Sequence, residues 1–274
     1  HATLSCTRGI IRYSKYNNKY LKNAIEIFNN YLEKGMTYDY ANINWFNRFS
    51  TWTEPCGIID SFIIARKLYS ITQEEKYLDV FNRIYINSLR TFQRINGGAG
   101  CSTCAIKDHY LMKSYLYEAF FCCTMRLGDG LGYLTDFALI KDEDNLIIPF
   151  PVKFEYEDEN VSFILDNEFY EDNKITLKVN KINKPLLMKI RLPKNGINNR
   201  WLKINLNEKK EYVFELENEI NSQNGIFFFG DMLLTKKKEK MKKEFMINND
   251  AYSFVYDNSS FEENVLEEKV QYVK

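Results

Sequence analysis

The stretch Lys174-Ile175-Thr176-Leu177-Lys178-Val179 alternates polar and apolar side chains from one residue to the next. This period of two puts the apolar side chains on one face, as in a half-buried β-strand. Comparable segments follow at Leu186–Leu192, Tyr212–Leu216 and Ile226–Phe229. We therefore predict that residues 143–274 form an antiparallel β-sandwich domain.

Upstream of residue 143 the spacing of apolar residues is helical instead. Leu21–Leu32 carries apolar residues at helical spacing, and similar patterns predict helices over Cys56–Leu68, Lys76–Arg94 and Ser114–Leu127. A run of helices followed by a run of strands is typical of separate domains rather than of one α/β sheet. The predicted fold class is therefore α + β multidomain, with a helical domain over residues 1–142 and the β domain after it.

The bulk composition excludes several classes of protein. The chain has 274 residues, of which 45% are hydrophobic, so it can bury a sizeable core. Its 37 basic and 37 acidic residues leave no basic excess for a nucleic-acid partner. No stretch approaches the roughly 18 consecutive apolar residues of a membrane helix. We expect a soluble protein with no nucleic-acid or membrane partner. Because the chain starts at His1 rather than at a methionine, we also expect a processed or truncated piece.

The placement of the six cysteines does not suit a disulfide framework. Cys122 and Cys123 are adjacent, and neighbouring cysteines rarely pair because the resulting ring is strained. Reduced thiols that bind a metal or act as a nucleophile fit this placement better. Because thiols stay reduced in the cytosol, the sequence favours a cytoplasmic location.

Two short motifs bring together one carboxylate and three thiols. They are Glu54-Pro55-Cys56, at the start of one predicted helix, and Cys122-Cys123, within another. Zinc binds such ligands in a tetrahedron, and thiolates favour zinc over magnesium or calcium. We therefore predict a zinc site with the ligands Glu54, Cys56, Cys122 and Cys123.

Two alternatives to this ligand set stay open from the spacing alone. The four residues could be inert members of a hydrophobic core, where free cysteines are common. The zinc could instead be bound by Cys101 and Cys104, whose Cys-x-x-Cys spacing is the more usual one for zinc. No second Cys-x-x-Cys pair accompanies them.

Three motifs of the helical part resemble the β-L-arabinofuranosidase-like glycoside hydrolases, family 127 and its relatives. They are Thr51–Cys56 (TWTEPC), Gln93–Gly100 (QRINGGAG) and Glu118–Arg126 (EAFFCCTMR). The resemblance implies an (α/α)6-barrel catalytic domain followed by β-sandwich domains, and a carbohydrate substrate. This chain has enough predicted helices for only part of such a barrel. The expected fold is therefore a partial (α/α)6 barrel, incomplete at its N-terminus, followed by the β-sandwich.

The resemblance also implies a chemistry. Most glycosidases use two carboxylates, whereas in this family a cysteine replaces the nucleophilic carboxylate. Cys122 matches that nucleophile, and Glu54, Cys56 and Cys123 match the other zinc ligands. A neighbouring zinc ion ionises a thiol, which at its ordinary pKa of about 8.5 is mostly protonated at neutral pH.

The family's acid/base glutamate has no identical counterpart here. Asp39, in Met36–Tyr40, is the nearest candidate, and its alternative role is that of a turn aspartate. Glu33 is a second candidate, within a helical pattern.

Three further residues are expected to contact the sugar. His1 matches a family histidine, in a stretch that opens a helix, although a first residue can also be the mere end of a fragment. Trp45 and Trp52 could stack on the sugar ring, while tryptophans are as often core residues. Arg48 and Arg126 are additional candidates for binding hydroxyl or carboxylate groups.

The function predicted from the sequence is therefore that of a retaining glycoside hydrolase with a zinc-associated cysteine nucleophile, which removes β-L-arabinofuranosyl residues. An alternative from another class is a non-catalytic, zinc-stabilised carbohydrate-binding or interaction protein, because a fully ligated zinc is typical of a structural site. A third is a helical-barrel enzyme that acts on another sugar, such as a lyase or an unsaturated-uronyl hydrolase. Basic residues lining the pocket would favour that third function.

Overall fold

The computed structural model of the protein describes residues 1–37, 40–44, 52–89, 93, 97–103, 111–115, 122–142, 145–192, 200–216, 220–223, 226–233 and 251–255. Its contacts divide the chain into two compact units. One is His1–Leu131 with Met232–Lys274, and the other is Gly132–Asp231. The predicted domain boundary after residue 142 stays a prediction.

Helices dominate the first unit. The α-helices of the described residues are α1 (Ala2–Tyr13), α2 (Leu21–Lys34), α3 (Pro55–Thr72), α4 (Glu75–Ile84), α5 (Cys122–Phe137) and, within the second unit, the short α6 (Phe169–Asp172). A 3₁₀ turn, Asn18–Tyr20, precedes α2, and a π-helical turn, Tyr85–Leu89, continues α4.

Helix α3 is the centre of the first unit. Pro55 at its first position has the backbone φ that a helix needs, and the residues from there to Tyr69 are buried except Lys67. A helix that is apolar on all sides is stable only when other elements surround it. Both α1 and α4 pack on it, and Phe62 stacks on Phe81 of α4 with 4.1 Å between ring centroids. This core fixes the position of the residues at the start of α3.

The strands of the described residues are between two and nine residues long. They are β1 (Trp52–Thr53), β2 (Ser102–Thr103), β3 (Leu111–Tyr115), β4 (Ile140–Asp142), β5 (Asn145–Ile148), β6 (Phe154–Glu157), β7 (Val161–Glu168), β8 (Lys174–Ile182), β9 (Leu186–Arg191), β10 (Trp201–Leu206), β11 (Glu211–Glu215), β12 (Ile220–Gln223), β13 (Ile226–Phe229), β14 (Met232–Leu233) and β15 (Ala251–Val255). In the first unit the sheet order is β1-β2-β3-β15.

The second unit contains two four-stranded sheets, with the strand orders β10-β9-β5-β4 and β11-β8-β7-β6. Ile175, Leu177 and Val179 of β8 are buried, as their alternation predicts. Together with Met188 and Ile190 of β9 they belong to one hydrophobic core, to which both sheets contribute. The predicted antiparallel arrangement holds for most pairs but is wrong for one, because β5 and β9 pair in parallel.

Two predicted helices have different limits in the structure. The helix predicted over Ser114–Leu127 does not start at Ser114, which lies in β3 opposite Ser102 of β2. Cross-strand pairing overrides the helical pattern at Ser114, and the described part of this predicted helix is α5, from Cys122 onward. The helix predicted over Lys76–Arg94 stops being α-helical at Ile84. Among the residues that the structure describes, none of the helices has the length and apolar character needed to cross a membrane.

Candidate metal centre

The start of α3 is held by Asn42. The Asn42 side-chain oxygen accepts a hydrogen bond of 3.0 Å from the backbone N–H of Glu54, the residue that caps α3. Asn42 is buried and lies so close to the first turn that a β-carbon on Gly57 would stand 2.8 Å from its Cγ. A glycine at position 57 is therefore required for this contact. Asn42 thus constrains the backbone at Glu54 and in the first turn of α3.

The start of α5 is held by a second contact. The backbone N–H of Ala99 donates to Thr124 Oγ1 over 3.1 Å, which joins the Gly97–Cys101 segment to the first turn of the helix. Gly97 has a φ of +81°, a conformation that glycine adopts without strain. In the antiparallel β1–β2 ladder Thr53 lies opposite Ser102. The next residue of one strand, Glu54, is therefore a neighbour of the preceding residue of the other, Cys101. The three chain segments thus converge on one place.

The structure brings the four predicted ligands together at that place. The ligand atoms of Glu54, Cys56, Cys122 and Cys123 all lie within 4.8 Å of one another, and this group could hold a metal ion. The sulfurs of Cys56 and Cys122 are 3.9 Å apart. A tetrahedral ion with metal–sulfur bonds of about 2.3 Å separates its sulfur ligands by about 3.8 Å. The donor set and its spacing therefore fit a metal ion of the zinc type.

The four ligands differ in exposure. Cys56 and Cys123 are buried, and Glu54 is half-buried. Cys122, the first residue of α5, is exposed. Only one thiol of this cluster is therefore open to a reacting molecule.

Crowding raises the pKa of all three thiols. A hydrogen bond with Cys123 is the largest cause that raises the pKa of Cys56, and burial adds to it. Partial desolvation by the surrounding protein is the largest cause that raises the pKa of Cys122, although its side chain stays exposed, and the neighbouring Cys56 is the next cause. For Cys123 the largest cause of the raised pKa is a hydrogen bond with Cys101. Thiolates this close repel one another, so a bound cation is what would ionise them.

Cys101 is a contact of the cluster rather than a member of it. It is buried and its thiol interacts with Cys123, but it is not among the four ligands grouped by distance. Its Cys-x-x-Cys partner, Cys104, lies outside the described residues, and the rival ligand pair stays a prediction. The contact between Cys101 and Cys123 has no signal in the linear sequence.

His1 and Arg126, two candidate substrate-binding residues, meet at Asp60. The imidazole Nδ1 of His1 lies 3.1 Å from Asp60 Oδ2, and the His1 side chain is 36% exposed. Arg126 donates to Asp60 and to Asp129. Asp60, whose side chain is fully buried in α3, was not predicted from the sequence. Its one signal is its spacing of four residues from Cys56, which places it on the same helix face.

Several candidates fall outside what the structure describes. Asp39, Trp45 and Arg48 lie outside the described residues, and for Trp52 only the backbone, in β1, is described. Glu33 lies in α2 and is exposed. The predicted roles of these residues remain predictions.

Comparison with known proteins identifies a fold and not a sequence family. No protein-family model matches the sequence, and no curated protein matches it. Solved structures do match, and the first of three such structures is a GH127 β-L-arabinofuranosidase from Geobacillus stearothermophilus T6, with 13% identity, a TM-score of 0.60, and coverage of 83% of this chain and 45% of that one. The second is a glycoside hydrolase with 12% identity, a TM-score of 0.64, and coverage of 83% and 50%. The third is a GH127 β-arabinofuranosidase with 16% identity, a TM-score of 0.62, and coverage of 85% and 47%.

The chain thus spans about half the length of the proteins it resembles. Its order of helices followed by sheets is that of an α + β fold. In fold, the chain is similar to the GH127 glycoside hydrolases over more than four-fifths of its own length.

Proposed function

We propose that the protein is a retaining glycoside hydrolase, that Cys122 is its nucleophile, and that it releases β-L-arabinofuranosyl residues from glycans. The observation that carries the proposal is the exposure of Cys122 beside the buried Cys56 and Cys123, in a group of ligand atoms that fits a metal. The fold similarity supports the substrate class, because two of the similar structures described above are arabinofuranosidases.

The proposed resident metal is zinc, with the ligands Glu54, Cys56, Cys122 and Cys123. Three sulfurs and one carboxylate form a soft ligand set that prefers zinc to magnesium or calcium. Zinc would supply positive charge that keeps the thiols ionised at neutral pH.

In the first step, the ionised sulfur of Cys122 attacks the anomeric carbon of the sugar. The bond from that carbon to the leaving oxygen breaks, and the oxygen takes a proton from the acid/base residue, for which we propose Asp39. In the second step, water attacks the same carbon, gives a proton to the Asp39 carboxylate, and releases the Cys122 thiolate. Two displacements on one carbon retain its configuration.

We also propose the larger architecture that the similar structures suggest. The helical unit would be part of an (α/α)6 barrel, and the two sheets that share a core would be the β-sandwich. Because the chain spans about half of those proteins, the activity of the complete protein is part of this proposal.

The test of the function is hydrolysis of an aryl β-L-arabinofuranoside followed by NMR. The proposal predicts that the first sugar formed is the β anomer, and that Cys122→Ser abolishes turnover while the circular dichroism spectrum is unchanged. Trapping with a mechanism-based arabinofuranosyl reagent should add one sugar mass to the peptide that contains Cys122. An α-anomer product, or activity retained by Cys122→Ser, would contradict the mechanism.

One observation favours a second candidate function. The cluster contains four potential ligands, which is the number that closes a structural zinc site. The protein would then be a zinc-stabilised carbohydrate-binding or interaction protein without turnover. Sugar binding to the metal-loaded protein by calorimetry, with no hydrolysis of any aryl glycoside tested, would favour this candidate.

A further inference from the structure

The thiol of Cys101 touches the metal cluster without belonging to its ligand group. It forms a hydrogen bond with Cys123, although it lies outside the four ligands whose atoms stand close together. Both cysteines are free, and they are 8% and 3% exposed respectively. Because neither sulfur is open to solvent, each must find its hydrogen-bond partner within the protein.

The backbone around Cys101 is held by two of the segments that carry ligands. The β1–β2 ladder makes Cys101 a neighbour of the ligand Glu54. The N–H of Ala99 donates to Oγ1 of Thr124, the residue after the ligand Cys123, over 3.1 Å. Neither contact uses the Cys101 side chain. The surroundings therefore keep the thiol in place, and a substitution at this position should leave the segment where it is.

A bound metal decides the direction of the hydrogen bond between the two sulfurs. A sulfur that binds a metal has released its proton, so Cys123 as a ligand can only accept. The neighbouring Cys101 thiol keeps the contact by donating its S–H. Three thiolates and one carboxylate bring four negative charges to a zinc ion that carries two positive ones, so the loaded site has an excess of negative charge. A donor to one of the sulfurs offsets part of that excess, as a charge-assisted hydrogen bond.

We propose that Cys101 is a positioning residue of the metal centre, whose thiol donates a hydrogen bond to the sulfur of Cys123 and thereby holds that sulfur on the metal. Residues that contact a metal ligand from behind in this way orient the ligand and tune the metal. Cys101 acts through Cys123 and binds neither the metal nor the substrate. The inference rests on the proposed metal site, but not on the reaction proposed for it.

Cobalt(II) in place of zinc tests the hydrogen bond directly. It takes the same kind of tetrahedral sulfur site and, unlike zinc, absorbs light by transfer of charge from sulfur to metal. A hydrogen bond stabilises the sulfur electrons, so its loss in Cys101→Ala, or in the larger Cys101→Val, should move this band to longer wavelength. Cys101→Ser keeps a donor and should keep the band near its original position. An unchanged band in both variants without a donor would overturn the inference.

Zinc affinity, measured by competition with a chelator, is the second readout. Cys101→Ala should weaken zinc binding roughly 10- to 100-fold, as for other residues that orient metal ligands, and still be purified with about one zinc. Cys101→Ser should recover most of that loss, and Cys6→Ala, which removes an exposed thiol outside the cluster, should cause none. Alanine and serine occupy nearly the same volume, so a thiol that only fills space predicts equal losses in those two variants. Equal losses, or no loss in Cys101→Ala, would overturn the inference.

The remaining outcomes separate this inference from the proposed function. Complete loss of the metal from Cys101→Ala would make Cys101 a ligand and would overturn its positioning role. If no form of the protein binds cobalt or zinc, the metal site and the role of Cys101 both fail. If the band shifts and serine restores it, but no form hydrolyses an arabinofuranoside, the proposed reaction fails and the role of Cys101 stands.

Discussion

At the scale of single residues, Cys122 is distinguished from the other thiols of the cluster by its exposure. In the metal-free protein, iodoacetamide should modify Cys122 before the buried Cys56 and Cys123. Peptide mass spectrometry at increasing times gives the order of modification. Added zinc should slow the modification of Cys122 and leave that of Cys6, which is exposed and outside the cluster, unchanged. Equal rates at all three cluster thiols would contradict the structure.

The raised pKa values of Cys56 and Cys123 predict how the stability of the metal-free protein depends on pH. In the unfolded chain these thiols lose their protons near pH 8.5, whereas in the folded chain they keep them. The folded state then binds more protons, so the free energy of unfolding is unaffected below about pH 8.5 and falls above it.

The slope should approach about 1.4 kcal/mol per pH unit for each such thiol. Urea unfolding of the chelator-treated protein across this range measures it, with the Cys56→Ala variant as the control of smaller slope. Stability that rises with pH in the metal-free protein would contradict the raised pKa values. The zinc-loaded protein should behave in the opposite way and lose its metal in acid, because protons compete for the thiolates.

At the scale of secondary structure, the start of α3 depends on the close contact between Gly57 and Asn42. Gly57→Ala places a β-carbon 2.8 Å from the Asn42 side chain, so we expect a loss of about 1–3 kcal/mol in the free energy of unfolding. Gly128→Ala is the matched control, because it lies in α5 with no atom within 4 Å of its β-carbon. That change should be neutral or stabilising, by up to about 1 kcal/mol. Denaturant titrations compare the two, and equal effects would contradict the close contact.

Some secondary-structure elements could be predicted from the sequence alone and others could not. The alternation around β8 and the apolar spacing around α2 predicted those elements, because each pattern is local. The extent of β3 was missed because it depends on pairing with β2 and β15, which are distant in sequence.

The residues of the candidate site were likewise predicted from the sequence only in part. The four ligands were predicted from their residue types and from the family resemblance, and the structure places them together. Asp60 was missed because an aspartate in a helix has no special pattern, and its role arises from contacts with α1 and α5. Cys101 was predicted as a rival ligand, whereas its contact with Cys123 depends on the fold.

At the scale of the whole molecule, the metal cluster belongs to only one of the two compact units. The second unit has a hydrophobic core of its own, drawn from two sheets. A ligand that binds only the folded state stabilises the unit that contains its site. Removing the metal with a chelator should therefore lower the melting temperature of the first unit, which contains the cluster, and leave that of the second unit unchanged.

Calorimetry, with far-ultraviolet circular dichroism to separate helix from strand, measures the two transitions. Readdition of zinc should restore the first transition. A shift of both transitions by the same amount would mean that the metal stabilises the second unit as well, contrary to this expectation.

The metal content per chain tests whether Glu54, Cys56, Cys122 and Cys123 bind one metal ion. Elemental analysis of the purified protein should find about one zinc, lost in Cys56→Ala and retained in Cys101→Ala, whose thiol is buried beside the cluster but outside it. Retention of zinc in Cys56→Ala together with its loss in Cys101→Ala would move the site to the Cys-x-x-Cys pair. A protein that binds no metal at all would contradict the claim and leave the four residues as an ordinary part of the core.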